Sequence, residues 1–594
     1  MSYILSFILP LIYLLLYTLS LSVVFKNKFE HDIPLTFIIS SIVMYISLYT
    51  FKNIYVGLVL NILVCLIFPI YLIKNKYSFK DIKDKYFTNG VICFLVLYLI
   101  VYLYDLNRFY TRWDELSHWG KMVKEIFRLN NFYSVNESHL LVHKDYPPMF
   151  SLMETMFTFI SAGFKETYLI RCIHLFEGSI IISCIKNNKK IEIKKDIFKT
   201  TLAFAFLFII TLMMDSQIFI NTIYIDIPIS FIVGWILFNI FKERKYDLLF
   251  YVKLSLVLIF LLLSKQICIS FYLIVLFFLG ISLLFKLKEI KVINNIVKYA
   301  LFVVLIPIIF LYSWNSYKSS LGLVGQFELS DIHVSDAIGI CNGTSGEEWQ
   351  ITAKNNYFRF LKIKNISSSY FNITYLSLFF IIGIFSIIIY FILRNKIDKT
   401  KYKILNVSFI LGYIGFIVMM FLLYVFSFGP YEGPALASYD RYMSTYILIV
   451  LYAISFIYIY YKDINYKKII LITFILMCLI KPRQYLRLRP DLILLSNHKY
   501  DPYIAASNLI DKYAELDDKV FIVDQKEMDG AVFYINYFSN KVTTNLVNYE
   551  KEPIGDIIND YKYVYTFSLN ETSSFEEHTL YKIENNNLVK IEGN

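Results

Sequence analysis

Glycine and proline are scarce in this chain, 20 and 13 among 594 residues. So little of either excludes a collagen-like, linker-rich or disordered polypeptide. The seven cysteines imply neither a disulfide framework nor a zinc site: Cys65, Cys93, Cys172, Cys184, Cys268 and Cys478 lie in apolar stretches, leaving Cys341 alone in a polar loop. The long apolar runs do not alternate in polarity, which excludes an outer-membrane barrel. Residues 1–20 lack the basic start and small-residue cleavage site of a secretory signal, so they read as a retained span.

What the chain has in abundance is apolar surface. Hydrophobic residues make up 57%, aromatic residues 18%, and the mean hydropathy is +0.54. A soluble chain of this length would form about four domains of roughly 150 residues; this composition instead indicates an integral membrane protein whose spans are helices. The net charge of +11 is unevenly placed, because residues 482–594 hold 12 Lys and Arg against 18 Asp and Glu. The basic excess therefore lies in the apolar part, where it suits loops facing an anionic cytoplasmic leaflet, and no nucleic-acid partner is expected.

Fourteen stretches approach the length needed to cross roughly 30 Å of hydrocarbon: 3–25, 34–51, 54–73, 89–105, 168–185, 199–214, 218–241, 248–264, 267–285, 298–314, 371–393, 405–428, 442–461 and 468–481. Six connections, 74–86, 186–199, 242–245, 286–298, 394–403 and 462–468, together carry 26 Lys and Arg against 8 Asp and Glu, as cytoplasmic loops should. The long connections 105–147 and 315–370 are charge-balanced and belong outside with 429–441. A further apolar stretch, 147–163, would reverse this scheme if it crossed fully, so it reads as a helix at or dipping into the outer interface. The expected architecture is an all-α polytopic plasma-membrane protein of about 14 spans. It has three N-terminal helices within 1–88 of unassigned role, a catalytic membrane region over 89–481 and an extracytoplasmic α/β domain over 482–594.

Within that last domain, 520–523 reads as a strand, 530–538 as a helix, and 542–547, 561–567 and 579–591 as further strands. It has no Gly-rich phosphate loop, nucleophile elbow or clustered His and Cys, which points to an accessory or acceptor-shaping role.

The chemistry-bearing residues fall mostly on the expected outer side. In Arg112-Trp113-Asp114-Glu115-Leu116-Ser117-His118-Trp119-Gly120-Lys121, continuing to Phe127, helical spacing puts Trp113, Leu116, Gly120, Val123 and Phe127 on an apolar face. Asp114, His118, Lys121 and Glu125 fall opposite. Such a helix should lie along the membrane surface. Its adjacent carboxylates, Asp114 and Glu115, suit a general base or simply favour the helix N-terminus.

That acidic pair, followed by His143-Lys144-Asp145-Tyr146-Pro147-Pro148 and an apolar helix, resembles the GT-C superfamily of membrane glycosyltransferases, including protein O-mannosyltransferases, the aminoarabinose transferase of lipid A and bacterial families 39 and 83. Three more segments fall in the family's order. Asp226-Ile227-Pro228 resembles its Asp-x-Pro at the outer start of a span, although a helix N-cap before Pro would read the same. Leu263-Ser264-Lys265-Gln266 places a lysine at an outer turn, where a snorkelling lysine is equally at home. Asp440-Arg441-Tyr442 is similar to the family's Arg-Tyr before the closing helices, and also to an aromatic-belt anchor. The resemblance covers about 89–480; Ser117-His118 departs from the small apolar residues expected after the acidic pair.

The resemblance implies inverting transfer of a sugar from a polyprenyl-phosphate donor to an extracytoplasmic glycan, lipid or protein acceptor. It makes Asp114 the general base, with Glu115 and Asp226 as further catalytic carboxylates. His118, His143, Lys265, Arg441 and Tyr442 would contact substrate, the two cations meeting phosphate charge. A divalent cation remains open. The competing classes are a polysaccharide polymerase or ligase of the cell envelope, expected to show paired Arg in a large external loop, and a multi-span transporter. A transporter should place ionisable residues near mid-membrane, whereas the charges here are expected at span ends.

Overall fold

The computed structural model describes residues 2–161, 163–184, 222–243, 246–285, 292–323, 325, 334–363, 373–461, 489–526, 530–545, 560–569, 575–585 and 587–593. The chain divides into two compact units, one drawn from residues 1–106 and 146–484, the other from 107–145 and 485–594.

The first unit is a helical bundle. Among the described residues eight helices are long and apolar enough to cross a membrane: Ile4–Phe25, Phe29–Phe51, Ile54–Lys74, Cys268–Phe285, Ile296–Ser320, Tyr375–Leu393, Lys399–Phe426 and Tyr439–Tyr461. On the Ile54–Lys74 helix, Tyr55, Val59, Ile62, Leu66, Ile70 and Ile73 are exposed and recur every three or four residues. An exposed stripe of that kind is stable against lipid and not against water.

The structure thus supports eight of the fourteen expected spans. Stretches 199–214 and 468–481 lie outside the described residues. Three others form helices of 16, 17 and 15 residues, Asn89–Tyr104, Asp226–Lys242 and Leu248–Leu262, short of a full crossing at 1.5 Å per residue. Glu166–Ser183 has 18 residues, but Arg171, His174 and Glu177 interrupt its apolar run. The helix expected at the outer interface is Met149–Ile160, and it is buried from Met149 to Thr158. It packs against the Phe29–Phe51 and Glu166–Ser183 helices, so the bundle takes the apolar surface that the sequence assigned to the interface.

The second unit contains a five-stranded sheet of strands β1 (Lys519–Asp524), β2 (Thr543–Thr544), β3 (Tyr563–Ser568), β4 (Thr579–Glu584) and β5 (Asn587–Gly593), in the order β2-β1-β3-β4-β5. β1 pairs in parallel with β2 and β3, and β3-β4-β5 form an antiparallel meander. The helix Gly530–Phe538 supplies the crossover that parallel β1 and β2 need. β1 is buried from Val520 to Asp524, as its continuous apolar run suggests, and Phe521 and Val523 share a core with Val564, Leu569 and Tyr581.

Two strand expectations change. The stretch 579–591 is not one strand, because the chain reverses at Asn585, whose φ of 52° is the left-handed conformation asparagine tolerates in tight turns. Of 542–547, only Thr543–Thr544 pair as a strand; 546 and 547 lie outside the described residues.

Residues 107–145, which the sequence assigns to the membrane region, belong to this second unit. A π-helical turn, Glu115–Trp119, leads into the helix Gly120–Leu129. The polar face of that helix does not meet water: Lys121 and Glu125 are each 1% exposed. Lys121 donates to the carbonyl of Asn536 at 2.8 Å, and Trp113 packs edge-on to Phe533 with ring centres 4.8 Å apart. The C-terminal part of the unit covers the face that the spacing assigns to solvent.

Candidate functional site

Three charged residues meet at one end of the first unit's helices. Asp226 opens the helix Asp226–Lys242, Lys265 lies in the turn between Leu248–Leu262 and Cys268–Phe285, and Arg441 sits in the first turn of Tyr439–Tyr461. Lys265 Nζ donates to Asp226 Oδ1 at 2.9 Å, and Arg441 Nε lies 3.4 Å from Asp226 Oδ2. Asp226 and Lys265 are only 7% and 8% exposed. Aromatic rings close the group, with Lys265 Nζ 5.2 Å from the Tyr442 ring centre and the Arg441 guanidinium 5.2 Å from that of Tyr224.

Local sequence explains why the helices carrying Asp226 and Arg441 come so close. Ser230 and Gly234, four apart, give the Asp226–Lys242 helix a small-residue face. A Cβ on Gly234 would stand 3.0 Å from Tyr452 Cβ and 3.1 Å from the Ala453 nitrogen. Ser230 Oγ also donates to the Thr445 carbonyl at 3.0 Å.

This geometry bears on the simpler readings of each residue. Asp226 is the first residue of its helix, after the N-cap Ile225, and its carboxylate engages two cations. Lys265 is buried against a carboxylate and does not reach out as an exposed charge. One carboxylate here engages both an Arg and a Lys donor in a poorly solvated place. Such an arrangement suits an anion with several oxygens, above all a phosphate.

In the second unit, Glu115 Oε2 accepts the main-chain N–H groups of Thr111 and Arg112, at 2.8 and 2.9 Å. Its carboxylate secures the start of the π-helical turn. Asp114 is the more exposed of the pair. His118 Nδ1 pairs with Ser117 Oγ at 2.8 Å, and the His118 and His143 rings meet edge-on with centres 4.6 Å apart. His143 holds a φ of 60°, a conformation that surrounding structure must impose on a histidine.

Nearby, Glu125 Oε1 lies 3.2 Å from Lys121 Nζ, and Glu125 Oε2 accepts from Arg128 and from the His139 N–H. Burial opposes the Glu125 charge, but Lys121, His139 and Arg128 outweigh it and pull the carboxyl down to about 2. Burial pushes the His139 imidazole below its ordinary 6.5, although its Nε2 is 2.7 Å from Asp517 Oδ1. This network ties residues 107–145 to the C-terminal part of the same unit.

The structure also brings together residues that the spacing did not single out. His174 Nδ1 lies 2.8 Å from Asp105 Oδ2, Arg171 stacks on Tyr102 with its guanidinium carbon 4.1 Å from the ring centre, and Glu177 lies one turn beyond His174. All four charged side chains are buried. The available signal was the triplet Arg171, His174, Glu177 inside an apolar stretch, and it corrects the expectation that charges sit only at span ends. Among the described residues no group of three His, Cys, Asp or Glu side chains is placed to hold a metal ion. No family model, curated protein or solved structure matches this chain.

Proposed function

We propose that this chain is an integral membrane glycosyltransferase of the GT-C type, moving a sugar from a polyprenyl-phosphate carrier to an extracytoplasmic acceptor. The observation that carries the reading is the meeting of Asp226, Lys265 and Arg441. These are three of the residues that the resemblance assigns to the reaction, and they lie far apart in the sequence. In the proposed reaction the acceptor oxygen attacks the anomeric carbon, its proton passes to a carboxylate, and the bond from that carbon to the carrier phosphate breaks. Lys265 and Arg441 balance the charge left on the phosphate, and Asp226 holds both cations in place. The resemblance gives the base to Asp114.

The test is mass spectrometry of envelope glycans from cells carrying the wild-type chain, Asp114→Asn, Lys265→Met or a deletion. A glycan lost in the deletion and in both variants supports the reading. Unchanged glycans in Asp114→Asn, beside a loss in the deletion, remove the proposed base.

A multi-span transporter is the second reading, favoured by Arg171, His174 and Glu177 within a helix and the Asp105–His174 pair. It predicts that Glu177→Gln abolishes proton-coupled uptake in vesicles and leaves envelope glycans unchanged.

A further inference from the structure

At the other end of the Asp226–Lys242 helix, roughly 25 Å from Asp226 at 1.5 Å per residue, the first unit has a partly open cavity of about 340 Å³. Such a volume lies at the small end of the ligand-site range. Trp235, Asn239 and Lys242, at i, i+4 and i+7, present one face of that helix to it; His31 and Lys253 contribute from other helices, and Asn27 from the connection between Phe25 and Phe29. Leu35, Ile236 and Val257 make part of its wall apolar.

The charges around the cavity are not all balanced. Lys253 Nζ is 3.0 Å from Asp32 Oδ1, which also accepts from Asn27 at 3.1 Å. Asp247 caps the Leu248–Leu262 helix, accepting the Phe250 N–H at 2.8 Å. The Glu243 carbonyl accepts from Lys401 at 2.8 Å. Lys242 makes no ion pair or hydrogen bond among the described residues. Its ammonium rests on the rings of Phe238 and Tyr460, 5.2 and 5.5 Å from their centres. Trp235, only 5% exposed, has no acceptor for its indole N–H among the described residues. The Glu243 carboxylate offsets part of the Lys242 charge, but neither the ammonium nor the Trp235 N–H has a hydrogen-bond acceptor among the described residues; with both on one helical face beside an apolar wall, they suit an anion with several acceptor oxygens.

We infer that this cavity binds a phosphate group, carried on an apolar chain or free in solution, with Lys242 as its counter-ion and Trp235 as a hydrogen-bond donor. By the lysine distribution this end faces the cytoplasm, so the site is separate from the Asp226 cluster and rests on no part of the glycosyltransferase reading.

The test is native mass spectrometry of the full chain in a neutral detergent, titrated with dodecyl phosphate or with inorganic phosphate. Dodecyl phosphate should bind once, and Lys242→Gln should weaken it about tenfold, the equivalent of 1.4 kcal/mol. Lys242→Arg should retain binding. Trp235→Phe, which keeps the ring and removes the donor, should weaken it several-fold and covers the case in which the lysine variants fail to fold. Competition by inorganic phosphate, with the same dependence on Lys242, assigns the cavity to a soluble phosphate; no competition assigns it to a lipid. Equal binding of dodecyl phosphate by the parent chain, Lys242→Gln and Trp235→Phe overturns the inference.

Discussion

Replacing Asp226 by Asn keeps the side chain's shape and removes the one negative charge between Lys265 and Arg441. At an effective dielectric constant of 20, contacts of 2.9 and 3.4 Å correspond to about 6 and 5 kcal/mol of Coulomb attraction before desolvation. Desolvation of three largely buried groups offsets much of that. The larger consequence of the substitution is that two cations are left facing each other without a counter-charge, which typically costs about 3–5 kcal/mol. The assay is unfolding of the full chain in lipid nanodiscs, compared across wild type, Asp226→Asn, Lys265→Met and the double variant. Asp226→Asn should be the least stable. Adding Lys265→Met should restore part of the loss, with a coupling energy of about 0.5–3 kcal/mol, as expected of residues in contact. Additive losses, with coupling below about 0.5 kcal/mol, would refute the idea that the three side chains act as one electrostatic unit.

Gly234→Leu should force apart the helices that carry Asp226 and Arg441, costing about 1–3 kcal/mol by overpacking and lowering the Asp226–Arg441 coupling measured in a double-mutant cycle. Glu115→Gln should weaken the start of the π-helical turn by about 1 kcal/mol, read by hydrogen exchange across residues 111–119. Asp114→Asn should leave that exchange unchanged while removing the glycan product. Acid should loosen the second unit. Glu125 is held near 2 against an ordinary 4.5, so its contribution of about 3 kcal/mol is complete above pH 4.5 and is lost as the pH falls towards 2. His139, pushed below 6.5, acts in the same direction as the pH falls. Amide exchange of the Gly530–Phe538 helix in the full chain, corrected for intrinsic rates, checks both, and protection unchanged from pH 7 to pH 3 would contradict them.

Much of the local architecture was legible from periodicity. The run Val520–Val523 forms the centre of β1, and 530–538 is a helix with the expected ends. The split at Asn585 had a signal in the run Asn585-Asn586-Asn587, since asparagine is depleted in strands and tolerates the positive φ of a tight turn, but the flanking apolar residues on both sides mask it in a reading by strand pattern alone. The Gly120–Leu129 helix had a readable amphipathic pattern whose interpretation failed. Hydrophobic spacing locates a polar face but not its partner, and here Lys121 and Glu125 satisfy each other away from water. The pattern also hid the Asp105–His174 pair, since a histidine inside an apolar stretch gives no sign of a carboxylate 69 residues away.

The amino-acid order alone determined that this is a helical membrane chain with a small C-terminal α/β segment, because apolar length and the distribution of lysines are properties of consecutive residues. Only the packed structure decided that Asp226 meets Lys265 and Arg441, and that Lys242 and Trp235 share a cavity at the far end of the same helix. Such contacts depend on how closely helices approach, and that approach is set by small residues such as Ser230 and Gly234, whose partners lie on one helix more than 200 residues further along the chain.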